Sequence, residues 1–573
     1  MLSRTLLSIT TCLLGTTSLF ASDLVTSEDF GELPANEWAQ TFGTDPAQLK
    51  NTFSTDGKLQ VLLLGAKEPT NILWPGEDTE LEVQIANLTD AAVERKAKVV
   101  VVAYETWTHD GEIFKYGVRR IAEVGAIEQA INVPAKGVQH LRIKPPIPQQ
   151  KGGFAVLLEV EGNPNRFFIT SLARTFKPAF AKRRFYKLTM DIGDAAVLRR
   201  LGAAPNRTGM SPQNPSNPDA EAYYQDQAAK LRTYAEAGLP ICIEFGHGAP
   251  FFGEMNPLGR HRPSLDDKGV MQGGVGDIVW SPEYDQHFTA FVKRLLIEFG
   301  WPKGPINAVK IWNEPWNGGS IAGWAADDDR FREMTIAMDQ AVREARAEAG
   351  VQVLQGGADS SSNSLDKYFS DGSNRFDPMF DFLSVHYQGN DPHTNWRAWR
   401  ERKGPDGKPN PVLFWDTESW VGNTDDRVCS VLASMYSFGQ DRAVGIQSNR
   451  TVVQRWEHPA LAVDGKPLPG KNGRPMMREG RHASGVAAAV GAFQELVGED
   501  RRFSKLLWHG LPFVMQFEGK PVNGTTNVED STFVVLGDMG FFNADGAALR
   551  TARSLVELSL IHISEPTRLR RIS

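Results

Sequence analysis

The 573-residue chain has only three cysteines, and one of them, Cys12, falls in an N-terminal leader, which leaves Cys242 and Cys429. Neither has a second Cys or a His at metal-ligand spacing, which excludes a disulfide framework and a zinc site as organising devices. The two read as buried thiols, among the most buried residue types. Phosphate-cradling loops are missing as well. No G-x-G-x-x-G follows a strand, and neither a P-loop nor a Ser-His-Asp order is visible, so no catalytic metal and no cofactor are expected. Basic charge is not in surplus. A net charge of −7 argues against a nucleic-acid partner. Long apolar runs are also lacking beyond the first residues, so no membrane span is expected.

What is present is ordinary globular composition, 41% hydrophobic and 23% charged, in a chain long enough for two or three domains. Residues 1–22, "MLSRTLLSITTCLLGTTSLFAS", combine Arg4, a short apolar stretch and small residues at Ala21 and Ser22, the pattern of a secretory signal peptide. Cys12 lacks a Leu-Ala-Gly-Cys context, so no lipid anchor is expected. The expectation is an exported protein, periplasmic or extracellular, of unknown oligomeric state. At the other end, residues 558–573, "LSLIHISEPTRLRRIS", break the preceding pattern. They resemble translated sequencing-adapter sequence and are set aside from fold reasoning.

Between residues 55 and 177, runs such as "TELEVQIANLT", "KAKVVVVAYETW" and "GGFAVLLEVEG" are separated by turn-rich pieces. This rhythm predicts an immunoglobulin-like β-sandwich without the cysteine pair. With no row of exposed aromatics, it reads as a brace rather than a carbohydrate-binding module. The basic stretch Lys177 to Lys187 reads as a solvated connector. From about 185 to 500 the rhythm changes to apolar strands alternating with amphipathic helices, which predicts a (β/α)8 TIM barrel. The expected strands are "RFYKLTMDI", "APNRTGM", "ICIEFGHG", "AVKIWNEP", "VQVLQGGAD", "FLSVHYQG", "VLFWDTES" and "AVGIQSN". A doubly wound open sheet is the competing topology. Residues 501–557 read as a small C-terminal β element. Thr451 to His482, rich in Gly and Pro, reads as a long loop over the cleft, with Trp456 and Glu457 as contacts.

Barrel active sites gather at the C-terminal ends of the strands. Glu314 in "WNEP" and Glu418 in "TESW" both stand at such ends, and glycosidic bond cleavage needs one protonated and one ionised carboxyl facing a common cavity. Asp416 competes with Glu418, because i and i+2 share a strand face. Pro315 holds Glu314 extended by disfavouring helix at the residue before it. Trp312, Trp316, Trp324, Trp415 and Trp420 flank the glutamates, and flat aromatic faces suit pyranose rings.

Together, "WNEP", the His-Tyr of "SVHYQG" and "TESW" resemble the clan of retaining glycoside hydrolases built on the TIM barrel, nearest in arrangement to its β-xylosidase and α-iduronidase-like branch. The resemblance covers about residues 185 to 500. It implies Glu314 as general acid/base, Glu418 as nucleophile, Asn313 as a partner for the sugar 2-hydroxyl, and His386 with Tyr387 as groups that orient the nucleophile. Trp316 and Trp420 are expected in the cleft, and Arg207 and His247 at neighbouring strand ends as substrate contacts. Asp359 reads equally well as a turn cap. The expected activity is hydrolysis of a poly- or oligosaccharide by double displacement. A carbohydrate-binding protein without catalysis and a transglycosidase are the alternatives. Neither sugar nor linkage follows from the residues, and the four Asn-x-Ser/Thr matches at Asn87, Asn206, Asn449 and Asn523 add nothing.

Overall fold

The computed structural model describes residues 53–55, 58–108, 116–164, 166–210, 212, 217–245, 282–313, 328–360, 376–386, 401, 403, 406–418, 425–437, 439–444, 452–459, 469–470, 474–509, 513–522, 525–536 and 559–561. The first part forms two sheets. One orders Phe53–Thr55, Leu59–Ala66, Leu81–Asn87 and Val138–Ile143; the other orders Ile72–Leu73, Arg166–Arg174, Gly152–Val160, Val93–Thr108 and Tyr116–Val133. Pairing is antiparallel throughout except between Ile72–Leu73 and Arg166–Arg174. Leu81, Val83 and Ile85 alternate inward from one sheet and meet Val99, Val101, Val156 and Leu158 of the other in a single apolar core.

The run "VVVVA" does not alternate in polarity because its sheet is covered on both faces. Val100, Val102, Tyr104, Ala155 and Leu157 form a second buried cluster on the opposite side. That side meets two helices of the following part, and a Cβ built on Gly153 would lie 2.7 Å from the backbone nitrogen of Gly485.

After residue 185 the strands are parallel. They are β1 (Leu188–Met190), β2 (Ala204–Pro205), β3 (Arg207–Met210), β4 (Ile241–Phe245), β5 (Ile306–Ile311), β6 (Leu354–Ser360), β7 (Phe382–His386), β8 (Leu413–Glu418) and β9 (Ala443–Val444). They make a six-stranded sheet, β3-β4-β5-β6-β7-β8, and a three-stranded sheet, β2-β1-β9. The helices among the described residues are α1 (Ala195–Leu201), α2 (Ala220–Ala237), α3 (Asp285–Phe299), α4 (Asp328–Ala349), α5 (Asp425–Ser437) and α6 (Gly485–Leu496). The eight-unit barrel expected from the sequence therefore appears here as two parallel sheets and six helices.

Local chemistry sets these elements. Asp194 caps α1 by accepting from the backbone N–H groups of Ala196 and Val197 at 3.0 and 3.3 Å, and Gly202 ends the helix at φ 71°. Along α3, Phe288, Val292, Leu295, Leu296 and Phe299 recur on one face and are all buried. No described helix is long and apolar enough to cross a membrane.

Two expectations are corrected. The segment Thr451 to His482 is not a featureless loop, since Val453–Pro459 and Met477–Ala483 pair antiparallel from Val453↔Ala483 to Pro459↔Met477. Its alternation is hidden because charged residues occupy one face, where Arg455 pairs with Glu479. Arg481, on that same charged face, binds the capping Asp194, while on the other face His482 is buried against Thr170, ring Nδ1 to Oγ1 2.8 Å. That strand packs on the first part of the chain. Second, the connector Lys177 to Lys187 is not wholly solvated. Tyr186 is buried, and Lys187 donates from Nζ to the Gly498 carbonyl at 3.2 Å, with burial pulling its pKa down to about 8. Ser559–Ile561 pairs with Phe533–Val535, in a four-stranded antiparallel sheet with Arg502–His509, Phe513–Val522 and Thr525–Leu536. Cys242 and Cys429 are both buried thiols, as expected.

The Gly153–Gly485 approach generates a prediction. Valine favours strands by under about 1 kcal/mol, whereas forcing a side chain into fixed backbone costs about 1–3 kcal/mol. Gly153→Val is therefore expected to destabilise the chain by about 1–3 kcal/mol in urea unfolding, and an unchanged midpoint would mean that α6 can draw back.

Candidate active site

Two-residue periodicity decides which side chains of the six-stranded sheet share its inner face. Cys242 on β4, Ala308 on β5, Phe382 on β7 and Trp415 on β8 form one buried cluster, with the Phe382 and Trp415 rings stacked at 3.9 Å. β4 and β8 are four strands apart, so the sheet curls to bring them together. Two residues further along the same strands stand Glu244, Lys310, Ser384 and Thr417, all buried. The polar layer thus lies at the C-terminal side of an apolar floor.

The two edges of the curled sheet meet in this layer. Arg207, the first residue of β3, donates from one terminal nitrogen to Glu244 Oε2 at 2.9 Å and to His386 Nε2 at 3.1 Å, and from the other to Glu418 Oε2 on β8. Lys310 Nζ donates to the same Glu244 oxygen. Four strands so contribute an alternating row of charges, Lys310, Glu244, Arg207 and Glu418. Charge-assisted bonds of this kind are the strong ones, and little water competes because Lys310 is fully buried and Arg207 and Glu418 are each only 15% exposed.

The tautomer of His386 follows. Because Arg207 can only donate, Nε2 is the acceptor and the ring proton sits on Nδ1, 3.7 Å from Glu418 Oε2. Thr417 Oγ1 lies 3.1 Å from the same Nε2 and 2.5 Å from Ser384 Oγ. Asn206 ties the next edge, donating to Asp191 Oδ1 at 2.7 Å and to the Thr417 carbonyl at 2.6 Å. Burial pushes the Asp191 carboxyl up to about 6; Arg207 and the Asn206 hydrogen bond oppose the rise, and the Glu418 charge adds to it.

Of the residues expected from the sequence, Arg207, His386 and Glu418 are brought together here. Asn313 lies just beyond β5, and its Oδ1 is buried with no hydrogen-bond partner among the described residues. The residue before it, Trp312, takes φ 62° and is fully buried, an arrangement that costs a non-glycine residue about 1–3 kcal/mol. Glu314, Trp316, Trp324, Tyr387, Trp420 and His247 lie outside the described residues, as do the side chains of Asp359, Trp456 and Glu457. Trp312 and Trp415 are core residues, each 0% exposed. A register shift between β7 and β8 at Val385/His386 breaks the i, i+2 alternation that made Asp416 and Glu418 equivalent by periodicity. Glu418 enters the cluster. Asp416 is fully buried, and its Oδ1 accepts the Glu418 backbone N–H at 3.0 Å.

Sequence reasoning missed Asp191, Asn206, Glu244, Lys310, Ser384 and Thr417. One signal was available: Glu244 and Lys310 are single charges inside the apolar runs "ICIEF" and "INAVKI", and a charge in a doubly buried strand needs a partner.

No protein-family model matches the chain, and no curated protein matches it. Solved structures that align with it include a glycoside hydrolase family 30 subfamily 8 xylanase from Clostridium acetobutylicum, at 13% identity over 63% of this chain and 78% of that one, with a TM-score of 0.35. An endo-β-1,6-glucanase aligns at 12% identity over 60% and 77%, TM-score 0.33. A GH2 β-galacturonidase from Eisenbergiella tayi aligns at 12% over 79% and 73%, TM-score 0.27. With these TM-scores below 0.5 the likenesses carry no weight, and the chemistry is read from this chain's own side chains.

The raised Asp191 carboxyl generates a pH prediction. A carboxyl whose pKa is raised on folding contributes stability that is present below its unfolded value and lost as pH rises through about 6. Asp191→Asn keeps an acceptor for Asn206 and has no charge to bury. The melting temperature of the variant relative to the parent is therefore expected to climb between about pH 4 and pH 6 and then level off; a difference independent of pH would refute the assignment.

Proposed function

We propose that the chain is an exported retaining glycoside hydrolase acting on a poly- or oligosaccharide, with no nucleic-acid partner, membrane anchor or cofactor. The reading takes the two parallel sheets as one (β/α)8 barrel. In support, a single residue, Asn206, separates β2 from β3, and the parallel bridge Trp415↔Arg442 sits where β8 meets β9, with the Asp416 N–H bonded to the Arg442 carbonyl at 2.9 Å. Residues 185–500 are then the catalytic unit, 55–177 a bracing sandwich and 501–557 a C-terminal β element. The leader pattern supports export.

The observation that carries the reading is the Glu418 carboxylate, standing at a strand end and bonded to the Arg207 guanidinium from the opposite edge of the sheet. The ionised carboxylate is the form that attacks. In double displacement, Glu418 attacks the anomeric carbon while Glu314 protonates the departing oxygen, giving a covalent glycosyl-enzyme. Glu314 then takes a proton from water, which displaces Glu418. The resemblance around "WNEP" assigns Glu314 its part, and the Oδ1 of Asn313, buried without a partner among the described residues, fits a group waiting for a sugar hydroxyl. Tyr387, Trp316, Trp420 and His247 complete the cleft in this reading.

The test is hydrolysis of a panel of aryl glycosides and polysaccharides. Glu314→Gln is expected to lose activity by about 10²–10⁴-fold, Glu418→Gln at least as much, and azide is expected to rescue Glu418→Gly as the glycosyl azide of inverted anomeric configuration. Full activity in Glu418→Gln would transfer the nucleophile to another carboxylate, and binding without any cleavage would make the chain a carbohydrate-binding protein.

A further inference from the structure

Resting on the reading of Glu418 as the attacking carboxylate, we propose that Lys310 and Glu244 are positioning residues that act on Glu418 through Arg207, by fixing how its guanidinium is shared between Glu244 and Glu418. Neither residue belongs to the motifs from which the function was read. Both are deep: Lys310 has a side-chain exposure of 0% and Glu244 of 6%.

Stability alone does not account for them. A buried ion pair roughly breaks even against well-packed apolar residues of similar volume, and the neighbouring inward positions, Cys242 and Ala308, show that these strands accept apolar side chains. What the pair does supply is a graded electrostatic connection. Glu244 Oε2 receives both Lys310 Nζ and one terminal nitrogen of Arg207, while the other terminal nitrogen of Arg207 serves Glu418. Lys310 takes up part of the Glu244 charge and leaves more of the guanidinium's for Glu418. Removing Lys310 turns Glu244 fully onto Arg207 and weakens the hold on Glu418. Neutralising Glu244 frees Arg207 for Glu418 and strengthens it. The two substitutions act with opposite sign, which no general loss of packing would produce. Among the described residues, the other ionisable groups around the cluster are Asp191 after β1, His386 on β7 and Asp416 on β8, and both substitutions leave them in place.

The experiment reads the protonation of Glu418 without needing turnover. Full-length parent, Lys310→Met and Glu244→Gln are labelled with a carbodiimide and glycine ethyl ester across a pH series, and modification of the Glu418 peptide is quantified by mass spectrometry, with a thermal melt of each protein as the folding check. Coupling proceeds from the protonated carboxyl. The pH of half-maximal labelling is expected to rise in Lys310→Met and to fall in Glu244→Gln, each by about half a pH unit or more. In hydrolysing enzyme the acid limb of kcat/KM is expected to move the same way. Midpoints that stay put, or that move together, overturn the proposal. Should one variant fail to fold, the direction in the other decides alone. A parent that cleaves no glycoside overturns the proposed function, while the labelling midpoints still decide the coupling.

Discussion

Arg207 carries a charge into a layer of the protein where water is scarce, and the structure around it is arranged to keep that charge paired. An unpaired buried ion costs several kcal/mol, more than most single contacts return. That constraint explains why the two edges of the six-stranded sheet come together at this level, since Glu244 and Glu418 reach Arg207 from β4 and β8. It explains why Lys310, the only charge in its strand, stands opposite Glu244. It also fixes the tautomer of His386, whose Nε2 has a donor in front of it and so carries no proton. The proposed chemistry is attached to one end of this row of charges, at Glu418.

Below that layer the requirement is reversed. Cys242, Ala308, Phe382 and Trp415 fill the floor with apolar volume, and Trp415 lies under the Arg442 guanidinium at 4.3 Å. Strand geometry alone separates floor from site, because two residues along a strand return to the same face one step nearer the C-terminal end. Polar groups there are held by groups that are held in turn: Thr417 by Ser384, and Asn206 by both Asp191 and the Thr417 carbonyl. A site built on strand ends with such backing is more rigid than one carried on loops.

The first part of the chain is joined to the second by contacts that leave little room for independent movement. His482 sits buried against Thr170 and Phe168, and burial holds its pKa down to about 3, so the ring is neutral wherever the protein is folded near neutrality. Asn71 reaches the Arg481 carbonyl at 2.5 Å, Arg200 pairs with Glu68 and Glu77, and a Cβ on Gly491 would overlap Thr175. Buried polar bonds and close backbone approaches both require one fixed geometry.

The sequence by itself determined the periodic elements: the alternating runs before residue 177, the parallel strands with their buried helices, and the strand ends at which Glu418, His386 and Arg207 stand. These are local properties, set by side-chain period and by capping residues such as Asp194 and Gly202. Tertiary structure alone decided the rest. It separated Glu418, bonded to Arg207, from the buried Asp416, because a register shift is a property of two strands and cannot be read from one. It made a paired strand of residues 453–459, whose partner lies beyond a stretch rich in Gly and Pro. It turned Trp312 and Trp415 from candidate sugar platforms into core. And it made Glu244 and Lys310 meaningful, since a lone charge in an apolar strand shows that a partner is needed, while only the curl of the sheet shows which partner is within reach.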